Sequence, residues 1–124
     1  MNGKTILYVE DNEFNRKIVR DLLARTSYRL LEATDGESGV AMALRDTPNL
    51  ILMDIQLPKI SGFDATRRLR ADPRTAQIPI IAITSYALSG DEQKALDAGA
   101  SAYLAKPYSP RELLELIRKL APEH

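Results

Sequence analysis

The sequence predicts an α/β protein in which five parallel strands form one sheet with five helices distributed over both faces. Short apolar segments rich in β-formers alternate five times with segments whose apolar residues recur at helical spacing. Several strand candidates are continuous apolar runs, which is typical of strands covered on both faces. Polar residues follow these runs, at the edge where parallel α/β sheets place their ligand sites.

The first two strand and helix units follow one another directly. Thr5–Val9 predicts a strand, and an acidic, polar loop separates it from an amphipathic helix over Phe14–Leu23. Tyr28–Glu32 predicts a short second strand. Asp35–Gly36 marks a turn, and Glu37–Leu44 carries apolar residues at helical spacing.

The third and fourth units repeat this order. Asn49–Met53 predicts the third strand, Pro58–Gly62 a loop and Phe63–Leu69 a helix. Ile78–Ile83 predicts the fourth strand, and Asp91–Ala98 the helix that follows it. The repetition argues for crossover connections, and therefore for parallel strands.

The last unit carries clear boundary signals. Gly99 is a natural helix stop, and Ser101–Leu104 predicts a short fifth strand. Ser109 followed by Pro110 predicts a capped start for the final helix. Its apolar face comprises Leu113, Leu114, Ile117 and Leu120.

Composition limits the possible functions. A chain of 124 residues fits one domain, residues 1–124, and we expect no attached effector. The formal net charge of +0 gives no general attraction to nucleic acid or anionic membranes. The absence of cysteine excludes disulfide and thiol chemistry, and no apolar run is long enough to span a bilayer. We expect a cytoplasmic protein.

Charged and hydroxyl residues collect at the predicted carboxyl edge of the sheet. They are Glu10, Asp11, Asp54, Thr84 and Lys106. Three carboxylates and one ammonium group leave a net negative charge that a compact site does not tolerate without a cation. Oxygen ligands without nearby histidine or cysteine favour a hard ion, and Mg²⁺ commonly combines carboxylates with phosphate oxygens.

That combination indicates phosphoryl chemistry. Asp54 stands alone at the end of an apolar strand and is the natural acceptor of a phosphoryl group, because carboxylates can form aspartyl phosphates. Adjacent Glu10 and Asp11 are suited to holding metal. Lys106 can neutralise a phosphate oxygen, and the Thr84 hydroxyl can donate a hydrogen bond to another.

Four motifs with these residues resemble the receiver domains of two-component response regulators. They are "YVEDN" at 8–12, "LILMDIQLPKISGFD" at 50–64, "IAITSYA" at 81–87 and "YLAKP" at 103–107. The sequence is particularly similar to single-domain regulators of the DivK type and to receivers of hybrid histidine kinases. The resemblance implies a flavodoxin-like receiver fold with strand order 2-1-3-4-5.

The resemblance also implies a bacterial phosphorelay switch. Asp54 would receive a phosphoryl group from the phosphohistidine of a histidine kinase or a histidine phosphotransfer protein. Glu10, Asp11, Asp54 and the backbone carbonyl of Gln56 would hold Mg²⁺, Glu10 through a water molecule. The protein would not be an enzyme acting on separate substrates. It would catalyse its own Mg²⁺-dependent phosphorylation and slow dephosphorylation.

The output implied by the resemblance is a change of surface. Lys106 would pair with the phosphate and precede a cis peptide bond at Pro107. Thr84 and Tyr103 would form a switch pair that alters the face of the fourth helix, fifth strand and fifth helix. We expect a downstream protein partner there and a monomer or weak dimer. The partner face would be lined by Tyr86, Ala87, Leu88 and Tyr103.

Some residues depart from the family pattern. Glu10 stands where many members carry aspartate, which lengthens one arm of the metal site and keeps its charge. Other positions tune access of water to the acyl phosphate in this family and leave its lifetime open. They are Ser85, Gln56 and Tyr86.

Structural interpretations compete with some functional ones. The pair Glu10–Asp11 could merely cap the first helix, and Gly62 is expected only to permit a turn. Terminal His124, the one histidine, leaves no plausible internal phosphohistidine. The basic run Arg67, Arg68 and Arg70 is expected to be a solvated helix face.

Two other functions are compatible with a parallel α/β sheet. An aspartate-nucleophile phosphatase of the haloacid dehalogenase type requires a second aspartate two positions after the nucleophile, where Gln56 stands. A nucleotide or flavin module requires glycines in the loop after the first strand, and that loop reads "EDNEFN". Both alternatives therefore lack a required feature.

Overall fold

Five parallel strands form one sheet in the order β2-β1-β3-β4-β5 in the computed structural model, which describes residues 3–84 and 90–123. The strands are β1 Thr5–Val9, β2 Arg29–Ala33, β3 Leu50–Asp54, β4 Ile80–Thr84 and β5 Ala102–Ala105. The helices are α1 Glu13–Leu23, α2 Gly36–Asp46, α3 Gly62–Ala71, α4 Asp91–Ala98 and α5 Pro110–Leu120. The predicted fold class, element order and strand order are confirmed.

The two faces of the sheet support separate apolar cores. Tyr8, Leu52 and Ile81 belong to one core, which includes side chains of α1 and α5. Leu7 and Ile51 belong to the other, which includes side chains of α2 and α3. Because strand side chains alternate between faces, these neighbouring positions supply both cores and explain the continuous apolar runs.

Local backbone chemistry sets the boundaries that differ from the prediction. Pro79 has no N–H to donate, and the Ile78 N–H closes a turn on the Thr75 carbonyl, so β4 starts two residues later than predicted. Thr84 is the last residue of β4. The α2 helix begins at Gly36, because the Asp35 carboxylate accepts a hydrogen bond from the backbone N–H of the third helical residue.

The final helix has the predicted start and apolar face. The Ser109 hydroxyl accepts the Glu112 backbone N–H at 3.0 Å, and the Glu112 carboxylate accepts the Ser109 N–H at 3.0 Å. Leu113 and Ile117 are fully buried. Among the described helices the longest have 11 residues, so none can cross a bilayer.

Arg70 corrects the expectation of a solvated basic face. Its guanidinium is half-buried and donates to four backbone carbonyls, those of Gly99 at 2.8 Å, Thr75 at 3.4 Å, Ala76 at 3.1 Å and Ile78 at 2.6 Å. These carbonyls lie in connections without regular helix or strand partners, so a long cationic donor satisfies them. Arg67 is exposed, as expected.

Replacing Thr47 with glycine is expected to raise the free energy of unfolding by about 0.5–1 kcal/mol. Thr47 is exposed, ends α2 and has a φ of 40°, a left-handed conformation that strains a β-branched residue. Its N–H bond to the Ala43 carbonyl would be retained. Urea denaturation followed by circular dichroism measures the change.

The matched control is Ala24→Gly at the exposed end of α1. Ala24 has a φ of −59°, so glycine relieves no strain there and only adds freedom to the unfolded chain. This variant is expected to lose about 0.5–1 kcal/mol. An equal loss of unfolding free energy in Thr47→Gly and Ala24→Gly would show that Thr47 is not strained.

Candidate functional site

Sheet register brings the charged residues together at the carboxyl edge. Tyr8 pairs with Leu52 across β1 and β3, so two residues further on Glu10 lies beside Asp54 on the same face. Asp54 in turn pairs with a residue of β4, and the next strand leads into Lys106 on that face. The site therefore follows from strand order and the two-residue period.

Three carboxylates converge at this edge. One oxygen from each of Glu10, Asp11 and Asp54 lies within 4.8 Å of the others. Glu10 and Asp54 are buried, at 1% and 4% exposure, while Asp11 is exposed. The cluster is thus open to solvent on the side of Asp11.

Glu10 is held by a dense set of donors. Its Oε1 accepts from the Tyr8 hydroxyl at 3.1 Å, the Asn15 amide at 3.2 Å and Lys106 Nζ at 2.9 Å. Its Oε2 accepts the Asn12 backbone N–H at 3.2 Å. The carboxylate is therefore fixed, although glutamate has a longer side chain than aspartate.

Asp54 lies between the cationic and acidic parts of the site. Its Oδ1 accepts the Gln56 backbone N–H at 2.9 Å, and its Oδ2 lies 3.6 Å from Lys106 Nζ. Lys106 thus contacts both buried carboxylates. One ammonium group cannot balance three acids.

Local electrostatics shifts the pKa values of the two buried acids in opposite directions. Burial and the hydrogen bond with Glu10 raise the pKa of Asp54 to about 7. Burial also acts to raise the pKa of Glu10, but hydrogen bonds with Asp54 and Lys106 outweigh it and lower that pKa to about 2. Burial and Glu10 raise the pKa of Asp11. Crowded, oxygen-only carboxylates of this kind fit a hard divalent cation.

Thr84 and Tyr103 lie on the opposite face of the sheet from Asp54. Thr84 is buried, and its carbonyl accepts the Lys106 N–H at 2.7 Å. Tyr103 pairs with Ala82, so its half-buried ring and the Thr84 side chain share one face. The Lys106–Pro107 peptide bond is cis. Ser85, Tyr86, Ala87, Leu88 and His124 lie outside the described residues.

Gly62 does more than permit a turn. Its φ is not positive, but a Cβ there would lie 2.6 Å from the Ile55 Cα and collide with the Asp54 carbonyl oxygen. Its N–H donates to the Ile55 carbonyl at 2.8 Å. The absence of a side chain therefore lets α3 start against the end of the strand that carries Asp54.

Sequence reasoning missed the residues that hold Glu10, among them Tyr8. A usable signal was present: a tyrosine in a buried strand needs a hydrogen-bond partner, and Glu10 is two residues away on the same face. Asn15, in the first turn of α1, gave no comparable signal.

A doubly wound parallel sheet with an acidic, lysine-containing site at its carboxyl edge defines the class of protein. The family of response regulator receiver domains matches residues 6–118. The chain belongs to this family and is a phosphorylation-dependent signalling module of a two-component system. Membership leaves no basis for the phosphatase and flavin alternatives.

Individual relatives agree with this assignment. The polar-differentiation response regulator DivK of Brucella anthropi is 40% identical over 115 residues, covering 93% of this chain and 94% of its own. The receiver domain of sensor histidine kinase PA1611 from Pseudomonas aeruginosa, with a magnesium ion in its active-site cleft, is 40% identical with a TM-score of 0.88, covering 95% and 97%. Chemotaxis protein CheY4 of Vibrio cholerae is 26% identical with a TM-score of 0.88, covering 94% and 98%.

Proposed function

We propose that Asp54 accepts a phosphoryl group from the phosphohistidine of a histidine kinase or a histidine phosphotransfer protein. One observation carries the proposal: Asp54 is buried at the end of the central strand, where its Oδ1 accepts the Gln56 N–H and its Oδ2 lies 3.6 Å from Lys106 Nζ. Glu10, the other buried acid of the cluster, has one oxygen already occupied by three side-chain donors. A carboxylate oxygen of Asp54 forms a bond to phosphorus while the phosphorus–nitrogen bond of the donor breaks. The bonding electron pair leaves with the imidazole nitrogen.

The residues around Asp54 supply charge neutralisation and alignment. Glu10, Asp11, Asp54 and the Gln56 carbonyl would hold Mg²⁺, which would neutralise phosphate oxygens. Lys106, already within 3.6 Å of Asp54, would pair with another oxygen. The protein thus promotes its own phosphorylation and slow dephosphorylation, and acts as a phosphoacceptor rather than an enzyme with a separate substrate.

We further propose that the signal leaves through the face formed by α4, β5 and α5. The Thr84 hydroxyl would bind the phosphate, and the shift of Thr84 would let the Tyr103 ring turn inward on the same face of the sheet. Tyr103 packs against the small apolar cluster that includes Ala95 of α4, so its movement would change the packing between β5 and α4. A downstream protein would read that change, with Tyr86, Ala87 and Leu88 contributing to its binding surface.

The setting proposed for this switch is the bacterial cytoplasm, where histidine kinases transfer their phosphoryl groups. Residues 1–124 act as one receiver domain, as a monomer or weak dimer. The balanced charge of the chain supports protein partners rather than nucleic acid or membrane lipids.

Intact-mass spectrometry after incubation with acetyl phosphate tests the proposal. Wild type is expected to gain one phosphoryl group with Mg²⁺ and none with EDTA, because the acids repel the incoming phosphate without a cation. Asp54→Asn is expected to gain none under either condition. Asp72→Asn, at the far end of α3, is the matched control and is expected to behave like wild type. Uptake by Asp54→Asn, or no uptake by wild type, would contradict the assignment.

A further inference from the structure

Tyr8 places a buried hydroxyl against the acid cluster. The residue is fully buried in β1, and its hydroxyl donates to Glu10 Oε1 at 3.1 Å. A tyrosine hydroxyl carries its proton near neutral pH, so it can act as this donor. A second tyrosine, Tyr108, packs against the same core.

The two carboxylate oxygens of Glu10 accept different sets of hydrogen bonds. Oε1 receives hydrogen bonds from Tyr8, Asn15 and Lys106, which fills the capacity of one carboxylate oxygen. Oε2 receives the Asn12 N–H at 3.2 Å, a backbone donor, and none of these three side-chain donors. The side-chain donors thus fix the Oε1 end of the carboxylate.

Ordering the carboxylate before a ligand binds matters more for glutamate than for aspartate. The Glu10 side chain has an additional rotatable bond, and ordering it when a ligand arrives would cost conformational entropy. Donors that order the carboxylate beforehand reduce that cost. Of the side-chain donors to Oε1, Tyr8 is fully buried, and its ring is held by the core.

We propose that Tyr8 is a positioning residue for the metal site: its hydroxyl orders Glu10 before Mg²⁺ binds, and the affinity for Mg²⁺ depends on it. The inference rests on the proposed function through the role of Glu10 in holding the ion. Tyr8 itself takes no part in the transfer of the phosphoryl group, and its side chain is not exposed to solvent. Removing a residue that orients a metal ligand commonly weakens binding about 10–100-fold.

The test compares Tyr8→Phe with Tyr28→Phe. Both variants keep the ring and delete one buried hydroxyl, but the Tyr28 hydroxyl donates to the Ala121 carbonyl at 2.6 Å, in the core beside α5. Isothermal titration of the full chain with MgCl₂ is expected to give about tenfold weaker binding for Tyr8→Phe. Tyr28→Phe is expected to match wild type. Equal affinities in the two variants would overturn the inference.

A double-mutant cycle separates positioning from a general structural effect. In a Glu10→Ala background, Tyr8→Phe is expected to cause no further loss of Mg²⁺ affinity, because the group that it orders is gone. A tenfold loss in that background would show that Tyr8 acts by another route and would overturn the inference.

Phosphorylation provides a second readout and separates this inference from the proposed function. With acetyl phosphate, Tyr8→Phe is expected to need about tenfold more Mg²⁺ for half-maximal rate and to approach the wild-type rate at saturation. If Tyr8→Phe takes up a phosphoryl group on Asp54 with the same Mg²⁺ dependence as wild type, only the proposed role of Tyr8 is overturned. Weakened Mg²⁺ binding without uptake in wild type would overturn the proposed function alone. Wild type that binds no Mg²⁺ would overturn the inference.

Discussion

Replacing Gly62 with alanine is expected to lower the free energy of unfolding by about 2–3 kcal/mol. The added methyl group would collide with the Asp54 carbonyl oxygen and lie 2.6 Å from the Ile55 Cα. Backbone atoms of a central strand cannot move aside as the tip of a flexible side chain can. The start of α3 must therefore shift, which also displaces the Asp54 backbone.

Gly90→Ala is the matched control. Gly90 has a φ of 94°, and no atom of the residues that the structure describes lies within 4 Å of the position of an added Cβ, so alanine there introduces conformational strain without collision with them. Its expected loss is about 1 kcal/mol. Urea denaturation followed by circular dichroism suits a chain without tryptophan. A Gly62→Ala protein as stable as wild type would show that the loop yields easily.

The fold could be predicted from the sequence because burial on both faces leaves a strong pattern. Leu50, Ile51, Leu52 and Met53 are all fully buried, which is what a continuous apolar run at the centre of a parallel sheet predicts. The strand order could not be predicted from this pattern. Alternation of strands and helices does not distinguish one order from another, so the order came from the resemblance to a family.

Contacts between distant segments explain what sequence reasoning missed. Arg70 reaches carbonyls in the connections that precede β4 and β5, and nothing in the run of arginines distinguishes it from exposed Arg67. The need for glycine at Gly62 arises from close approach to Asp54, which only the packed structure displays. The charged site was easier to predict, since parallel strands bring their carboxyl ends to one edge.

Asp54→Asn is expected to raise the free energy of unfolding by about 1–2 kcal/mol at pH 7 to 8 in EDTA. Without a cation, burial and the neighbouring Glu10 raise the pKa of Asp54 from 3.8 to about 7, so ionising Asp54 destabilises the native state. Asparagine removes that charge, can still accept the Gln56 N–H, and can donate to the Glu10 carboxylate. The same substitution that prevents phosphorylation thus stabilises the protein.

The pH dependence identifies the cause. Below pH 4, Asp54 is protonated in both the folded and the unfolded chain, and it contributes its full stability. Between pH 4 and 7 the unfolded chain loses the proton first, so wild type loses stability relative to Asp54→Asn as pH rises. The pKa of Glu10 is lowered to about 2, so ionised Glu10 stabilises the folded state, and this contribution is lost only as the pH falls toward low values. The advantage of the variant should therefore grow from pH 5 to 7 and then level off.

Urea denaturation at pH 5, 6, 7 and 8 in EDTA, repeated with MgCl₂, measures this effect. Asp72→Asn is the control: hydrogen bonds from Arg74 lower the pKa of Asp72 to about 2, so its loss should bring no gain that grows with pH. Mg²⁺ stabilises the folded state that binds it, and it should favour wild type because Asp54 is a proposed ligand. The advantage of Asp54→Asn should therefore shrink as Mg²⁺ is added. A variant less stable than wild type at pH 7 in EDTA would mean that the acids are not under electrostatic stress, and the case for a cation between them would lose its physical basis.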